Sequence, residues 1–199
     1  MLEIFYRGGP LMYPILFCSI IGWAIFMERF FAYFQIRRDL LAMQRRVVSL
    51  LQEGHLAEAL ALSDRGKTPL ARILQVVLKN QGRSRAYLKA LAEEVGVREA
   101  VSLQRYLGLL GTIANVAPLL GLLGTVLGMI NAFNVIAAQG VGTPATLGGG
   151  ISEALITTAA GLTVAVPMLL VHRYLTARSE RLTLELEEAS MQIIDRIEG

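Results

Sequence analysis

Between Tyr106 and His172 the chain carries one Asp, Glu, Lys or Arg, the carboxylate of Glu153, and between Gly8 and Met27 it carries none. Uncharged runs of that length have few folded solutions. A helix needs about 20 predominantly apolar residues to cross a hydrocarbon core ~30 Å thick. The first window fits one crossing, and the second suits two if something divides it. The divider reads Gln139-Gly-Val-Gly-Thr-Pro-Ala-Thr-Leu-Gly-Gly-Gly150, with five glycines and a proline, which is turn chemistry. Only 18% of the residues are charged, against about 25% in soluble domains. The fold class expected is an all-α membrane protein with three transmembrane helices, extended by a cytoplasmic helical bundle.

The first run reads as a retained span. It lacks the basic leading segment and small-residue cleavage site of a signal peptide. Tyr6, Tyr13, Trp23 and the Phe30/Phe31/Tyr33/Phe34 cluster stand near its two ends, where membrane interfaces collect aromatic rings. Arg37–Arg105 holds thirteen Lys and Arg, and the tail after His172 holds four, whereas the 139–149 loop holds none. The positive-inside rule then predicts an N-terminus facing outside and a cytoplasmic C-terminus. The expected segments are a stub and first span over 1–36, a cytoplasmic helical domain over 37–107, a second span over 108–138, a periplasmic loop over 139–149, a third span over 150–171 and a cytoplasmic helix over 172–199.

Within 37–107, apolar residues recur at helical spacing from Asp39 to Gln52 and again over Leu56–Leu62. Gly54, the run Ser63–Pro69 and Asn80-Gln-Gly82 are the expected turns. Pro69 suits a first helical turn. Ser84 is the expected N-cap of a helix running on through Leu103 into the second span. No catalytic spacing appears, so no enzyme is expected. The basic residues alternate with seven carboxylates and lack an aromatic stripe, which points to anionic lipid and not to nucleic acid. Cys18 is the sole cysteine, and His55 and His172 stand apart from any ligand cluster, so neither a disulfide within the chain nor a metal or cofactor is expected.

The last two spans are rich in small residues. Gly121, Gly124, Gly128 and Gly161 permit close backbone approach, the usual basis of helix packing in lipid. Pro118 and Pro167 lie inside the spans and each removes a backbone donor, a hint of kinks. Glu153 is the exceptional residue. A charge near the bilayer centre costs at least about 2.5–3.5 kcal/mol, so it normally faces a cavity, a partner or an ion path. Thr125, Thr157, Thr158 and Thr163 add hydroxyls to the same two helices. Helical periodicity puts Thr157 on the Glu153 face and Thr158 well round from it.

The stretch Ala117-Pro-Leu-Leu-Gly-Leu-Leu-Gly-Thr-Val-Leu-Gly-Met129 resembles the second-span signature of the MotA/TolQ/ExbB proton-channel family. Gly150-Ile-Ser-Glu-Ala-Leu-Ile-Thr-Thr-Ala-Ala-Gly-Leu162, followed by Ala165-Val-Pro167, resembles the third-span signature, and Glu28-Arg29 is similar to the family pattern too. Three spans look like the ExbB/TolQ branch, since the flagellar branch has a fourth. The resemblance implies an inner-membrane homopentamer whose pore holds a dimeric, single-span ExbD- or TolR-like partner. That partner's aspartate would carry the proton, and a TonB- or TolA-like protein would pass work to the outer membrane. Carried over by position, Thr125 and Thr158 become pore threonines and Glu153 the family glutamate. Periodicity therefore favours Thr157 and the resemblance favours Thr158. A membrane scaffold that moves no ions is the alternative function.

Overall fold

The computed structural model describes residues 2–139 and 144–198, and among them the only regular structure is helical. Seven helices follow in order: α1 Leu2–Arg7, α2 Met12–Gln52, α3 Leu56–Arg65, α4 Pro69–Lys79, α5 Arg85–Leu103, α6 Leu107–Gln139 and α7 Pro144–Glu198. Among the described residues, three segments, Met12–Gln52, Arg85–Ala138 and Gly148–Ile197, each contain a run long and apolar enough to cross a membrane. At 1.5 Å per residue, the 41 residues of α2 and the 55 of α7 amount to about 60 and 80 Å of helix. Both outrun a bilayer core.

Three boundaries differ from the sequence expectation. The glycine-rich divider is helical from Pro144 onward, with proline at the position that least needs an N–H; residues 140–143 lie outside the described residues. Helix α5 does not run into the second span. It ends at Leu103, and Tyr106 at φ 67 separates it from α6. Helix α3 continues to Arg65, so Ser63 and Asp64 are helical. Ser84 occupies the N-cap position of α5 without a side-chain capping bond. Thr68 does cap its helix, its Oγ1 accepting from the Ala71 N–H at 3.2 Å ahead of Pro69. The helices α6 and α7 run unbroken past Pro118 and Pro167.

The chain divides into two compact units. The first comprises residues 1–27 and 106–174. Small residues set its packing. A Cβ on Gly121 would lie 3.0 Å from the Thr158 Cα, and one on Gly161 would lie 2.6 Å from the Ala117 carbonyl oxygen. Farther along, one on Gly128 would lie 2.8 Å from the Gly150 carbonyl oxygen, and one on Gly22 would overlap the Met168 thioether. Such positions let α6 and α7 touch backbone to backbone, the contact that drives helix association in lipid. Large apolar side chains on the other faces, among them Leu119, Leu122, Val126, Leu155, Val166 and Leu170, are exposed within one chain.

The second unit comprises residues 28–105 and 175–199. Its core is aliphatic, with Ile73, Val77, Leu88, Ala92 and Ile194 in one buried cluster. Tyr33 is buried and donates its hydroxyl to the Leu103 carbonyl at 2.6 Å. Glu99 is only 7% exposed, and Arg72 Nη1 donates to both of its carboxylate oxygens at 2.8 and 3.0 Å. Removing one partner of such a pair strands a buried charge. Because the Arg72 side chain is itself largely exposed, Arg72→Ala is expected to destabilise this unit by about 1–2 kcal/mol, while Arg72→Met with Glu99→Met recovers most of the loss. Denaturant titration of the two variants beside the parent checks this.

Candidate functional site in the apolar helix pair

Helices α6 and α7 together with the α1–α2 turn bring the sequence-selected polar residues into one unit. Thr158 Oγ1 donates to the Gly121 carbonyl at 2.8 Å, a hydrogen bond from α7 to α6. It forms because Gly121 has no side chain to keep the helices apart. Thr125 is half-buried and donates to the Leu122 carbonyl at 2.6 Å within its own helix. Thr163 similarly donates to the Ala159 carbonyl. Each hydroxyl keeps acceptor capacity after that donation.

Thr157 is placed differently. It is 1% exposed, and Gly124 leaves the gap it fills, since a Cβ there would lie 2.5 Å from Thr157 Cγ2. Its Oγ1 lies 2.6 Å from the Gly8 carbonyl oxygen and 2.8 Å from the Glu153 carbonyl oxygen. One hydroxyl proton serves two acceptors there. Thr157 and Glu153 lie on neighbouring turns of one helix face, as helical periodicity predicts, but at Thr157 that face is covered inside the chain. Thr158 keeps partial exposure.

Glu153 is half-buried against the turn before α2. Gly9 stands at φ +71, and a Cβ on it would overlap the Glu153 carboxylate. A cavity of ≈ 240 Å³ adjoins the carboxylate, lined by Gly8, Pro10, Leu11, Gly124, Leu127, Asn131, Glu153 and Thr157. Sequence reasoning missed Gly8, Gly9 and Asn131. Asn131 was visible as an amide in an apolar run, and Gly8-Gly9-Pro10 as a turn signal, but neither spacing says which helix the turn meets.

The sequence profile of the MotA/TolQ/ExbB proton channel family matches residues 65–188, a span that includes Thr125, Glu153, Thr157 and Thr158. The chain belongs to this family. Among its relatives, an ExbB homolog of Methanothermobacter thermautotrophicus is 33% identical over 178 residues, which cover 89% of this chain. The match spans 63% of that relative's length. Biopolymer transport protein ExbB of Neisseria meningitidis is 28% identical over 207 residues, covering 92% of this chain and 90% of the relative. Tol-Pal system protein TolQ of Pseudomonas aeruginosa is 29% identical over 182 residues, covering 86% and 79%. This member of the MotA/TolQ/ExbB family lies in the ExbB/TolQ-like branch and is a multi-pass membrane protein.

Proposed function

We propose that the chain is the ring-forming subunit of an inner-membrane motor driven by the proton-motive force. Five copies surround a pore, with the N-terminus periplasmic and residues 37–107 and 172–199 cytoplasmic. A dimeric ExbD- or TolR-like protein with one membrane helix per chain occupies the pore and carries the protonatable aspartate. Thr125 and Thr158 line the proton path beside it, and Glu153 acts toward the outer end. The work passes through a TonB- or TolA-like protein to the outer membrane, for nutrient uptake or envelope maintenance.

The observation that carries this reading is the half-exposed Thr158, hydrogen-bonded across the α6–α7 contact inside the segment that matches a proton channel family. The uncovered apolar faces of α6 and α7 support close association with copies and lipid. A hydroxyl can relay or solvate a proton without holding a fixed charge in the membrane. Each proton crossing releases about 2.3 kcal/mol per 100 mV, enough to bias a partner between positions in a ring. The test is proton uptake by liposomes containing the purified complex. Uptake is expected to need both this chain and its single-span partner and to follow the imposed potential. A complex that assembles but carries no proton current would instead favour a scaffold.

A further inference from the structure

We propose that Glu153 exchanges protons at the outer end of the path through a hydrated pocket formed by its own chain, where Gly9 and Thr157 position it. This deepens the proton-conducting reading and rests on it. The pocket is the ≈ 240 Å³ cavity between α6, α7 and the α1–α2 turn. A water in the liquid fills about 30 Å³ and needs two to four polar partners. The cavity has room for several, and Glu153, Asn131 and Thr157 contribute polar side chains to its lining. Glu153 is the single titratable residue among those lining it; Arg7, one residue before the turn, is exposed.

The carboxylate can enter because Gly9 has no Cβ and adopts φ +71, a conformation side chains resist. The turn is tied to α7 where the Gly8 carbonyl meets the Thr157 hydroxyl at 2.6 Å. Gly9 and Thr157 are thus positioning residues for Glu153. The step is a simple transfer: a hydronium in the pocket gives its proton to the carboxylate, leaving water and a neutral carboxylic acid, and the reverse step releases it.

The experiment measures proton uptake against external pH in liposomes holding the complex and its partner. The variants are Gly9→Ala, Glu153→Gln, their double variant and Asn131→Leu, with ring assembly followed by size-exclusion chromatography. Gly9→Ala is expected to lower uptake about tenfold and to move its pH profile, yet to add nothing in the Glu153→Gln background. Asn131→Leu, which leaves the turn untouched, is expected to give a comparable loss and carries the test if Gly9→Ala does not assemble. Equal losses from Gly9→Ala in both backgrounds would mean a purely structural glycine and overturn the proposal. So would wild-type uptake by Glu153→Gln or Asn131→Leu. If Thr158→Val also conducts normally, the failure lies with the conduction reading itself.

Discussion

Thr158→Val is expected to reduce proton uptake by the reconstituted complex at least about tenfold, equivalent to about 1.4 kcal/mol on the barrier. Valine matches threonine in shape and removes only the hydroxyl. The bond to the Gly121 carbonyl disappears, at a stability cost near 1 kcal/mol, so the subunit still folds and assembles. The separation between a small folding effect and a large transport effect makes this substitution informative. Thr158→Ser keeps the donor and is expected to retain most of the flux. Liposome uptake measured with a trapped pH dye, beside chromatography of the assembled complex, checks both. Uptake by Thr158→Val within twofold of the parent would remove Thr158 from the proton path.

Gly161→Val is expected to have the larger structural effect. Its Cβ would fall 2.6 Å from the Ala117 carbonyl oxygen and 3.1 Å from the Gly121 Cα. These are backbone atoms in the middle of α6, so no side-chain rotation relieves the clash and the two helices must separate. Overpacking of this kind costs about 1–3 kcal/mol where neighbours can shift, and the upper end is expected here. Separation also breaks the nearby Thr158–Gly121 hydrogen bond, so uptake falls along with stability. Loss of the assembled complex after detergent extraction, or a melting temperature lowered by several degrees, is the expected result. A variant as stable as the parent would show that α6 and α7 do not rely on this contact.

The three spans, the ExbB/TolQ-like resemblance and the small-residue helix contacts were legible in the sequence because each rests on a local property. Uncharged length marks a span, and glycine marks a close approach. The ends of α5 and α7 were harder to read. Tyr106 at φ 67 interrupts a continuous helical pattern with a residue that normally avoids that conformation, so propensity gives no warning. Pro144 lies in a stretch whose glycines argue for a turn, yet proline tolerates the first turn of a helix, and α7 begins there. The Glu153 surroundings were the least legible. A helical wheel orders residues around one axis, and it placed Thr157 near Glu153 correctly. It could not show that Gly8 and Gly9, nearly 150 residues away in sequence, close over that face.

The short connection from α6 to α7 bears on how the chain is made. Only Gly140-Val-Gly-Thr143 lies between the end of α6 and Pro144, and that tetrapeptide carries no charge to drag through lipid. Between Leu107 and Val171 the sole ionisable side chain is Glu153. A segment so composed can enter the bilayer during synthesis as a paired hairpin, its glycine contacts closing as it inserts.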